Sequence, residues 1–466
     1  MAIITRKIKV IPIDINEWDE DFNNYKLKKD VYKEFRDFRY LAWKLKNKVI
    51  SDYYLVHKEA EIRREDEPKR KLSEILKEVV HDWSGDECNT YSNYGYYLSK
   101  QYSDSLPSNI RNYACQNAIS FFKRSYGGVL TGENGIPTFK REKVELGFLA
   151  SPSKFYKEDN NPHYYFYSGI GQNYKFSLCF GKDKSNNKLI IDRIMKGEYK
   201  FCDSYFKFNA KDYGSSKGED LYLYVVCQVP EKKMELDPNT YVGVDLGIAN
   251  PAVCAVNNSL KRLYVGNGKA IQNKRFYFKN HKIERRREIN QNTQGGKGYK
   301  RKMRPVDKVR NKESNYFTTL NHTFAKRIVE FAVRNNASVI KLELLKGMTE
   351  KHRNDLNLRN WTFFQLQTMI KDKASHYGIE TVFIDPYHTS QKCSCCGEIG
   401  NRVNRDTFIC SNDQCKSFGS KVNADYNAAR NIAMSKEFVT EEKDCTVYKL
   451  NKKKKKKDKD IEKEVA

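Results

Sequence analysis

Apolar and polar residues alternate over the first thirteen positions of the chain, and apolar residues then recur at intervals of three or four. Alternation is typical of a strand, and the longer interval is typical of an amphipathic helix. The helical pattern breaks at Asp66 to Pro68, resumes over Lys71 to His81, and starts again at Pro107. We therefore predict a first strand (1–14) followed by a helical lobe (15–125). The aromatic residues of the lobe are expected to form its core rather than a surface on which bases stack.

Short β-like runs separated by Gly, Asn, Asp and Lys turns occupy residues 126–238. Tyr164 to Tyr167, Lys188 to Ile191 and Leu221 to Cys227 read as strands of a β-rich domain. The N-terminal strand can join this domain, in which case the helical lobe is an insertion. The segment from Pro230 to Pro238 reads as a linker to the next domain.

The remaining pattern alternates strands and helices, with three short strands first. A helix from about Val309 to Arg334 leads to a strand ending near Glu343, and a helix around Trp361 to Tyr377 leads to the strand from Thr381 to Asp385. The order β-β-β-α-β-α-β-α is that of an RNase-H-like domain. We assign residues 239–391 and a final helix (421–435) to this domain, with a basic segment (269–312) and an inserted ribbon (392–420).

Three carboxylates stand at the ends of these elements. Asp245 and Glu343 end apolar runs that read as buried strands, and Asp425 opens the final helix. Their convergence at one end of a sheet would suit two Mg²⁺ ions, which must lie roughly 3.5 to 4 Å apart to activate water and stabilise a leaving phosphodiester oxygen. The sequence thus predicts a nuclease with these residues as catalytic Mg²⁺ ligands. A transposase of the Asp, Asp, Glu kind would carry its glutamate last. Glu343 lies between the two aspartates, so the order argues against that class.

The charge of the chain favours a nucleic-acid substrate. The formal net charge is +26 over 466 residues, and residues 269–312 hold sixteen Lys and Arg against three acids. Such a segment can bind phosphates through counterion release, or it can be a solvated loop, as we expect for Gln291 to Gly298. The C-terminal tail (436–466), with six consecutive lysines, is predicted to be disordered. The residues predicted to bind nucleic acid are Arg285, Arg286, Arg287, Lys300, Arg301 and Lys302.

Five of the twelve cysteines fall between residues 393 and 415. The spacing of Cys393, Cys396, Cys410 and Cys415 matches a zinc ribbon with four thiolate ligands, whose zinc is structural because no position stays open for catalysis. Cys395 makes the first pair ambiguous, and a cluster of buried or reactive thiols is the alternative. Clustered cysteines, together with the lack of a signal-peptide core or a long apolar run, predict a cytoplasmic protein.

Two arginines can add positive charge near the scissile phosphate. Arg430 lies one helical turn past Asp425, and Arg402 lies in a loop of the predicted ribbon. Catalytic assistance is one interpretation of each. The alternatives are a structural salt bridge for Arg430 and a solvated loop for Arg402.

Four motifs together resemble the RuvC-type nuclease of transposon-encoded TnpB proteins and of their descendants, the type V CRISPR effectors. They are Val244 to Gly247, Leu342 to Leu344, Thr389 to Ser394 with the cysteine pairs, and Asn423 to Asn431. The short length and the runs Asp192 to Tyr199 and Ile136 to Arg141 are similar to the miniature subtype V-F in particular.

The resemblance implies a multidomain α+β protein, with a helical recognition lobe and a β-barrel-like wedge domain before the RuvC domain and its zinc ribbon. It implies an RNA-guided DNA endonuclease whose partners are guide RNA and double-stranded target DNA, with base pairing supplying recognition. It also implies two copies of the chain on one guide RNA. A monomeric TnpB-like guide nuclease and a guide-binding repressor that does not cut remain as alternatives, although the intact acid triad argues against the repressor.

Overall fold

The structure is a computed structural model, in which the chain divides into two compact units. One unit comprises Ile3–Val229, and the other comprises Pro230–Ala466 with the first two residues. The structure describes residues 2–20, 24–88, 90–132, 134–151, 153–159, 161–170, 174–183, 185–210, 219–232, 234–291, 302–344, 363–440 and 444–446.

The first unit combines a helical layer with a sheet. Its strands are β1 (Ala2–Asp19), β2 (Asn24–Leu27), β3 (Leu146–Phe148), β4 (Lys154–Lys157), β5 (Tyr164–Ser168), β6 (Tyr174–Cys179), β7 (Lys200–Ala210) and β8 (Glu219–Val229). Its helices are α1 (Asp30–Asp66), α2 (Leu72–Ser84), α3 (Tyr94–Ser99), α4 (Ser108–Leu130) and α5 (Asn187–Met195).

The sheet of this unit has the order β3-β7-β8-β1-β6-β5-β4, with β2 paired to β1. The prediction that the N-terminal strand joins the β-rich region is confirmed, because β1 lies between β8 and β6. Phe155 on β4 contacts Phe201 at the start of β7, and Phe148 on β3 contacts Phe166 on β5. Side chains from opposite ends of the strand order therefore meet, as they do when a sheet curls on itself.

The aromatic stripe of α1 belongs to the core, as predicted. Phe35 is fully buried and its ring meets the rings of Tyr174, Phe176 and Phe206 at centroid distances of 5.1, 5.7 and 5.3 Å. Edge-to-face contacts of this kind add to the free energy gained by burying apolar area. The helical layer and the sheet consequently share one hydrophobic core.

The strand predicted at Lys188 to Ile191 is wrong, because this segment lies in α5. The carboxylate of Asp183 accepts hydrogen bonds from the backbone N–H groups of Asn187 and Lys188, at 2.7 and 3.0 Å. These bonds satisfy donors that have no partner inside the first helical turn. A run of three apolar residues does not distinguish a strand from a buried helix face, and here the upstream carboxylate favours the helix.

The second unit is built on a mixed five-stranded sheet. Its order is β11 (Arg262–Val265), β10 (Ala252–Val256), β9 (Asp237–Asp245), β12 (Ala337–Glu343) and β13 (Glu380–Ile384). Strands β9, β10 and β11, where the sequence predicts three short strands, form an antiparallel meander, whereas β12 pairs in parallel with both β9 and β13. The described part of this unit includes the helices α6 (Gly268–Gln291), α7 (Arg304–Arg334), α8 (Phe363–Ser375) and α9 (Ala424–Met434).

Helices cover both faces of this sheet. On β10, Ala252, Cys254 and Val256 belong to a core formed with α7 and α8, whereas Val253 and Ala255 pack with Tyr426 and Ala429 of α9. Alternate residues of a strand point to opposite faces, so a strand between two helical layers must be apolar throughout. All five residues of β10 are buried.

The basic segment is helical where the structure describes it. Helix α6 covers its first half, and α7 begins at Arg304, five residues before the predicted start. Most of the loop predicted for Gln291 to Gly298 lies outside the described residues, as does most of the predicted C-terminal tail.

A small three-stranded antiparallel sheet stands between β13 and α9. It consists of β14 (Asn401–Arg402), β15 (Thr407–Ile409) and β16 (Lys421–Asn423), and β16 runs directly into α9. None of the helices that the structure describes has the length and apolar character needed to cross a membrane.

Candidate active site

Asp245 and Glu343 are the last residues of adjacent parallel strands. Val244 of β9 is the register partner of Leu342 of β12, so the next residue of each strand carries its carboxylate to the same edge of the sheet. Parallel strands present their carboxyl ends together, which is where ligands bind in sheets covered by helices. The sequence-predicted convergence of these two acids therefore follows from strand register.

Asp425 reaches the same edge from the first turn of α9. The side chain of Asn423 caps this helix by accepting a hydrogen bond of 2.9 Å from the Tyr426 N–H. Helix α9 lies close to β9 because the strand has a glycine, Gly243, at the crossing point. The first turn of a helix also favours a carboxylate through the partial positive charge of the helix N-terminus.

Each of two acids is held by a neighbouring polar side chain. Asn250 donates a hydrogen bond of 2.9 Å to Oδ2 of Asp425, and the guanidinium of Arg402 lies 3.6 Å from Oδ1 of the same residue. Thr389 donates to Oε1 of Glu343. The backbone of Glu343 is fixed as well, since Gln367 of α8 donates to its carbonyl oxygen at 2.7 Å.

The three carboxylates repel one another in a poorly solvated place. Burial raises the pKa of Asp245 well above its usual range, and the negative charges of Glu343 and Asp425 raise it further, while Arg402 lowers it. Burial also raises the pKa of Glu343, against the lowering effect of the Thr389 hydroxyl. The acids nevertheless remain partly exposed. A cluster of partly accessible carboxylates that repel each other suits a divalent cation with hard oxygen ligands.

The carboxylates are more widely spread than the ligands of a single closed metal site. Within the described parts of the chain, the four cysteines are the one group of three or more potential ligands whose ligand atoms all lie within 4.8 Å of each other. An arrangement with one shared carboxylate between two separate ions does not need all three side chains to meet at one point.

The cysteine cluster has the dimensions of a tetrahedral thiolate site. The sulfur atoms of Cys393 and Cys415 lie 4.0 Å apart, and those of Cys396 and Cys410 lie 3.7 Å apart. Four sulfurs at about 2.3 Å from a tetrahedral zinc ion are separated by about 3.8 Å. These four residues could therefore hold a structural zinc ion.

The structure also gives the register of the first cysteine pair. The backbone N–H of Cys395 donates to the sulfur of Cys393 at 3.4 Å, and the N–H of Ser417 donates to the sulfur of Cys415 at 3.4 Å. Both bonds run from the second residue after a cysteine, as in two similar turns. Cys395 is exposed and stands outside the cluster of four.

The two candidate arginines differ in their surroundings. Arg402, on β14, is the one beside an acid of the site. Arg430 faces along its own helix, where its guanidinium lies 3.4 Å from the Tyr426 hydroxyl. The structure thus associates Arg402 with the carboxylate cluster and gives Arg430 an intrahelical contact.

The predicted phosphate-binding residues are only partly described. Arg285, Arg286 and Arg287 are exposed on α6, and Arg285 pairs with Glu288 of the same helix at 2.8 Å. Lys302 precedes α7, whereas Lys300 and Arg301 lie outside the described residues.

Three residues that hold the acids have no pattern in the sequence that predicts this role: Thr389, Asn250 and Gln367. Thr389 does lie in a motif that identifies the family, but nothing in the pattern said that its hydroxyl would meet Glu343.

Two family models match separate parts of the chain. A model described as "Cas12f1-like, TNB domain" matches residues 363–432, which contain the four cysteines and Asp425. A model described as "Probable transposase" matches residues 224–349, which contain Asp245 and Glu343.

Known proteins match over most of the chain. The CRISPR-associated endodeoxyribonuclease Cas12f1 of Syntrophomonas palmitatica is 30% identical over 376 residues, covering 72% of this chain and 75% of that protein. The Cas12f1 of Sulfoacidibacillus thermotolerans is 28% identical over 352 residues, covering 73% and 80%. A cryo-EM structure described as a Cas12f1-sgRNA-target DNA complex has a TM-score of 0.66 at 19% identity, covering 93% of this chain and 99% of that one.

The multidomain fold and the matched models are those of a TnpB-related nuclease of type V-F. The chain belongs to the Cas12f1 family.

Proposed function

We propose that this protein is an RNA-guided DNA endonuclease of type V-F that hydrolyses phosphodiester bonds at one RuvC-like site, made by Asp245, Glu343 and Asp425. The observation that carries the proposal is the meeting of these acids at one edge of the sheet in a chain of the Cas12f1 family. Relatives named as endodeoxyribonucleases support DNA as the substrate. Guide RNA and target DNA are the partners of the structural neighbour, and we assign the same partners here.

The acids would hold two Mg²⁺ ions, which supply a nucleophilic hydroxide and stabilise the leaving oxygen. The chain's own contribution is to fix the ligands. Strand register places Asp245 beside Glu343, and the capped start of α9 presents Asp425 to them. The mutual repulsion that raises the pKa of Asp245 is relieved when cations bind, so part of the binding free energy is built into the folded site.

Arg402 is assigned a role beside the scissile phosphate. Its guanidinium lies 3.6 Å from Asp425, and its side chain is about one third exposed. A positive charge at the rim of the acid cluster can contact a phosphate that approaches the ions. Arg430, which contacts Tyr426, is assigned a structural role.

We assign zinc binding to the cysteine ribbon and phosphate binding to α6. Cys393, Cys396, Cys410 and Cys415 hold one structural zinc, which stabilises a ribbon too small to have a substantial core of its own. Helix α6 carries Arg285, Arg286 and Arg287 in exposed positions and would track phosphates of the guide or target. The recognition roles of residues 15–125 and 126–238 remain predictions, as does a homodimer on one guide RNA.

The TnpB-like alternative is related but is not better supported. The transposase model covers residues 224–349, whereas the Cas12f1 relatives align over more than 70% of the chain. A repressor that does not cut would not need three acids at one sheet edge. Genetic neighbourhood and the mass of the purified ribonucleoprotein distinguish a transposon-encoded monomer from a CRISPR effector.

The test is guide-dependent cleavage by Asp245→Ala, Glu343→Ala and Asp425→Ala. Each variant should lose Mg²⁺-dependent cutting and retain guide-dependent DNA binding, since each removes a metal ligand and no duplex-reading surface. Glu380→Ala is the matched control, because Glu380 is an exposed glutamate at the opposite end of neighbouring β13. Normal cutting by any triad variant would overturn the site assignment.

A further inference from the structure

The carboxylate of Glu343 is held by Thr389, which lies in the segment between β13 and the zinc ribbon. The Thr389 hydroxyl lies within reach of two acceptors, Oε1 of Glu343 and the carbonyl oxygen of Pro386, which is 3.1 Å away. A hydroxyl has one proton, and the carboxylate oxygen is the closer of the two acceptors. Thr389 is buried, with 9% of its surface exposed, so water does not compete freely for this bond.

Thr389 is in turn held by α9. The side-chain amide of Asn431 donates to the carbonyl oxygens of Thr389 and Lys392, at 2.8 and 2.7 Å. Asn427, which is 1% exposed, donates to the carbonyl of Lys392 at 2.7 Å and accepts from the N–H of Ser394 at 2.8 Å. Lys392 and Ser394 flank the first cysteine of the cluster, Cys393. Asn427 therefore holds the backbone on both sides of a zinc-site residue.

The same helix also supplies an acid of the site, since Asp425 lies in the first turn of α9. A set of hydrogen bonds thus runs from Ser394, next to Cys393, to Asn427, which shares the Lys392 carbonyl with Asn431. Asn431 also donates to the backbone of Thr389, whose hydroxyl donates to Glu343. Glu343 and Asp425, which are distant in the sequence, are therefore fixed relative to each other through the segment that enters the cysteine cluster.

We propose that Thr389, Asn427 and Asn431 are positioning residues that make the geometry of the acid site depend on the zinc ribbon. The inference rests on the proposed function of the acids. A glutamate has three rotatable bonds, and within the described parts of the chain Thr389 is the residue that hydrogen-bonds the Glu343 carboxylate. Thr389 selects one orientation of its carboxylate, and an intact ribbon keeps Thr389 in place.

The expected effect is on metal affinity. Residues that orient metal ligands typically change affinity about 10- to 100-fold when they are replaced. Thr389→Val keeps the shape of the side chain and removes its proton donor, so we expect at least a tenfold weaker affinity for Mn²⁺, used as the probe for Mg²⁺. Thr389→Ser restores the donor and should restore the affinity. Calorimetry or electron paramagnetic resonance on the full chain measures binding without any cleavage.

The link to zinc is tested by a double cycle. Removal of zinc with a zinc-selective chelator should weaken Mn²⁺ binding to the parent protein. It should weaken Mn²⁺ binding to Thr389→Val much less, because the hydrogen bond from residue 389 to Glu343 is already absent in that variant. Equal losses in both proteins would overturn the coupling. Unchanged Mn²⁺ affinity in Thr389→Val would overturn the positioning role of Thr389 itself, and this arm does not depend on the stability of the zinc-free protein.

The failure of this inference can be told apart from failure of the proposed function. If Asp245→Ala loses Mn²⁺ binding and cleavage while Thr389→Val behaves as the parent does, the positioning role fails and the active-site assignment stands. If Asp245→Ala itself binds Mn²⁺ normally and cuts DNA, the site assignment fails.

Discussion

Gly243 of β9 lies directly against the backbone of Ala433 on α9. A Cβ atom at position 243 would stand 2.3 Å from the amide nitrogen of Ala433 and 2.2 Å from the carbonyl oxygen of Ala429. Both neighbours are backbone atoms, so no rotation of a side chain can make room. The absence of a side chain at one strand position thus sets how closely the helix that carries Asp425 approaches the strand that carries Asp245.

We expect Gly243→Ala to push α9 away from the sheet. Overpacking of this kind costs on the order of 1 to 3 kcal/mol, and a displaced α9 should also impair cleavage by moving Asp425. Thermal unfolding and cleavage rates measure the two effects. Gly127→Ala is the control, because that position lies in α4 with open space around it. Equal behaviour of the two variants would contradict the packing argument.

Asp245→Asn should stabilise the protein in buffer without Mg²⁺, although it abolishes cleavage. The folded state raises the pKa of Asp245, so it binds more protons than the unfolded chain between the usual carboxyl pKa and the raised value. Stability of the parent therefore falls as pH rises through this window, and the Asn variant lacks that fall. Unfolding temperatures from pH 4 to 8 should diverge in favour of the variant. Parallel curves would show that Asp245 is not under such repulsion.

Replacement of Cys396 or Cys410 by Ser should release about one zinc per chain and destabilise the ribbon, whereas Cys395→Ser should retain zinc. The sulfurs of Cys396 and Cys410 lie 3.7 Å apart in the cluster of four, and the sulfur of Cys395 is not one of the four. Metal analysis of the three purified variants checks the expectation. Equal zinc loss in all three variants would show that the assignment of Cys393 and Cys396 as the first pair is wrong.

Neutralising Arg285, Arg286 and Arg287 together should weaken nucleic-acid binding for every guide sequence and flatten its salt dependence. Each lost duplex contact lowers the log-log slope by up to about 0.9. Consecutive helix residues are rotated by about 100°, so one strand of phosphates can meet one or two of them rather than all three. Arg285 is also partly neutralised by Glu288.

Salt titrations of the triple-arginine variant and of a variant truncated from Asn451 onward test this assignment. The truncation removes the six lysines of 452–457, and we expect a smaller change because a lysine run without fixed contacts, as the sequence predicts here, would attract DNA only diffusely. A large drop for the truncation with an unchanged slope for the arginine variant would make the tail the main electrostatic anchor.

Arg402→Ala should slow single-turnover cleavage by roughly tenfold or more when DNA is saturating, since it removes a positive charge beside Asp425. Arg405→Ala is the control, because its exposed side chain lies in the same ribbon loop. Saturating DNA separates a loss of rate from a loss of binding. A defect that disappears at saturation would limit Arg402 to binding.

The sequence predicted the strands that end at Asp245 and Glu343 because buried strands between helical layers are apolar throughout and acids interrupt that pattern. It failed at Lys188 to Ile191, where the decisive feature was a cap from Asp183 rather than the periodicity. It also left Arg402 and Arg430 equivalent. Only the pairing of β14 with β15 and the packing of α9 put one guanidinium beside Asp425 and the other beside Tyr426.

The supporting contacts of the site could not be predicted for a similar reason. A threonine such as Thr389 has no pattern of its own, and its partner Glu343 lies 46 positions earlier in the chain. Such a bond exists only after strands and helices have met. Residue type indicates what a side chain can donate, whereas the fold determines which acceptor it finds.

The position of Asp425 has a consequence for the protein while it is being synthesised. Asn250, which holds Asp425, precedes it by 175 positions, and the cysteine cluster lies between them. A nascent chain therefore carries two of its acids long before the third leaves the ribosome, and products of premature termination before residue 425 lack one of the three. On the proposed assignment, unfinished copies of the chain could not cut the DNA of the cell that makes them.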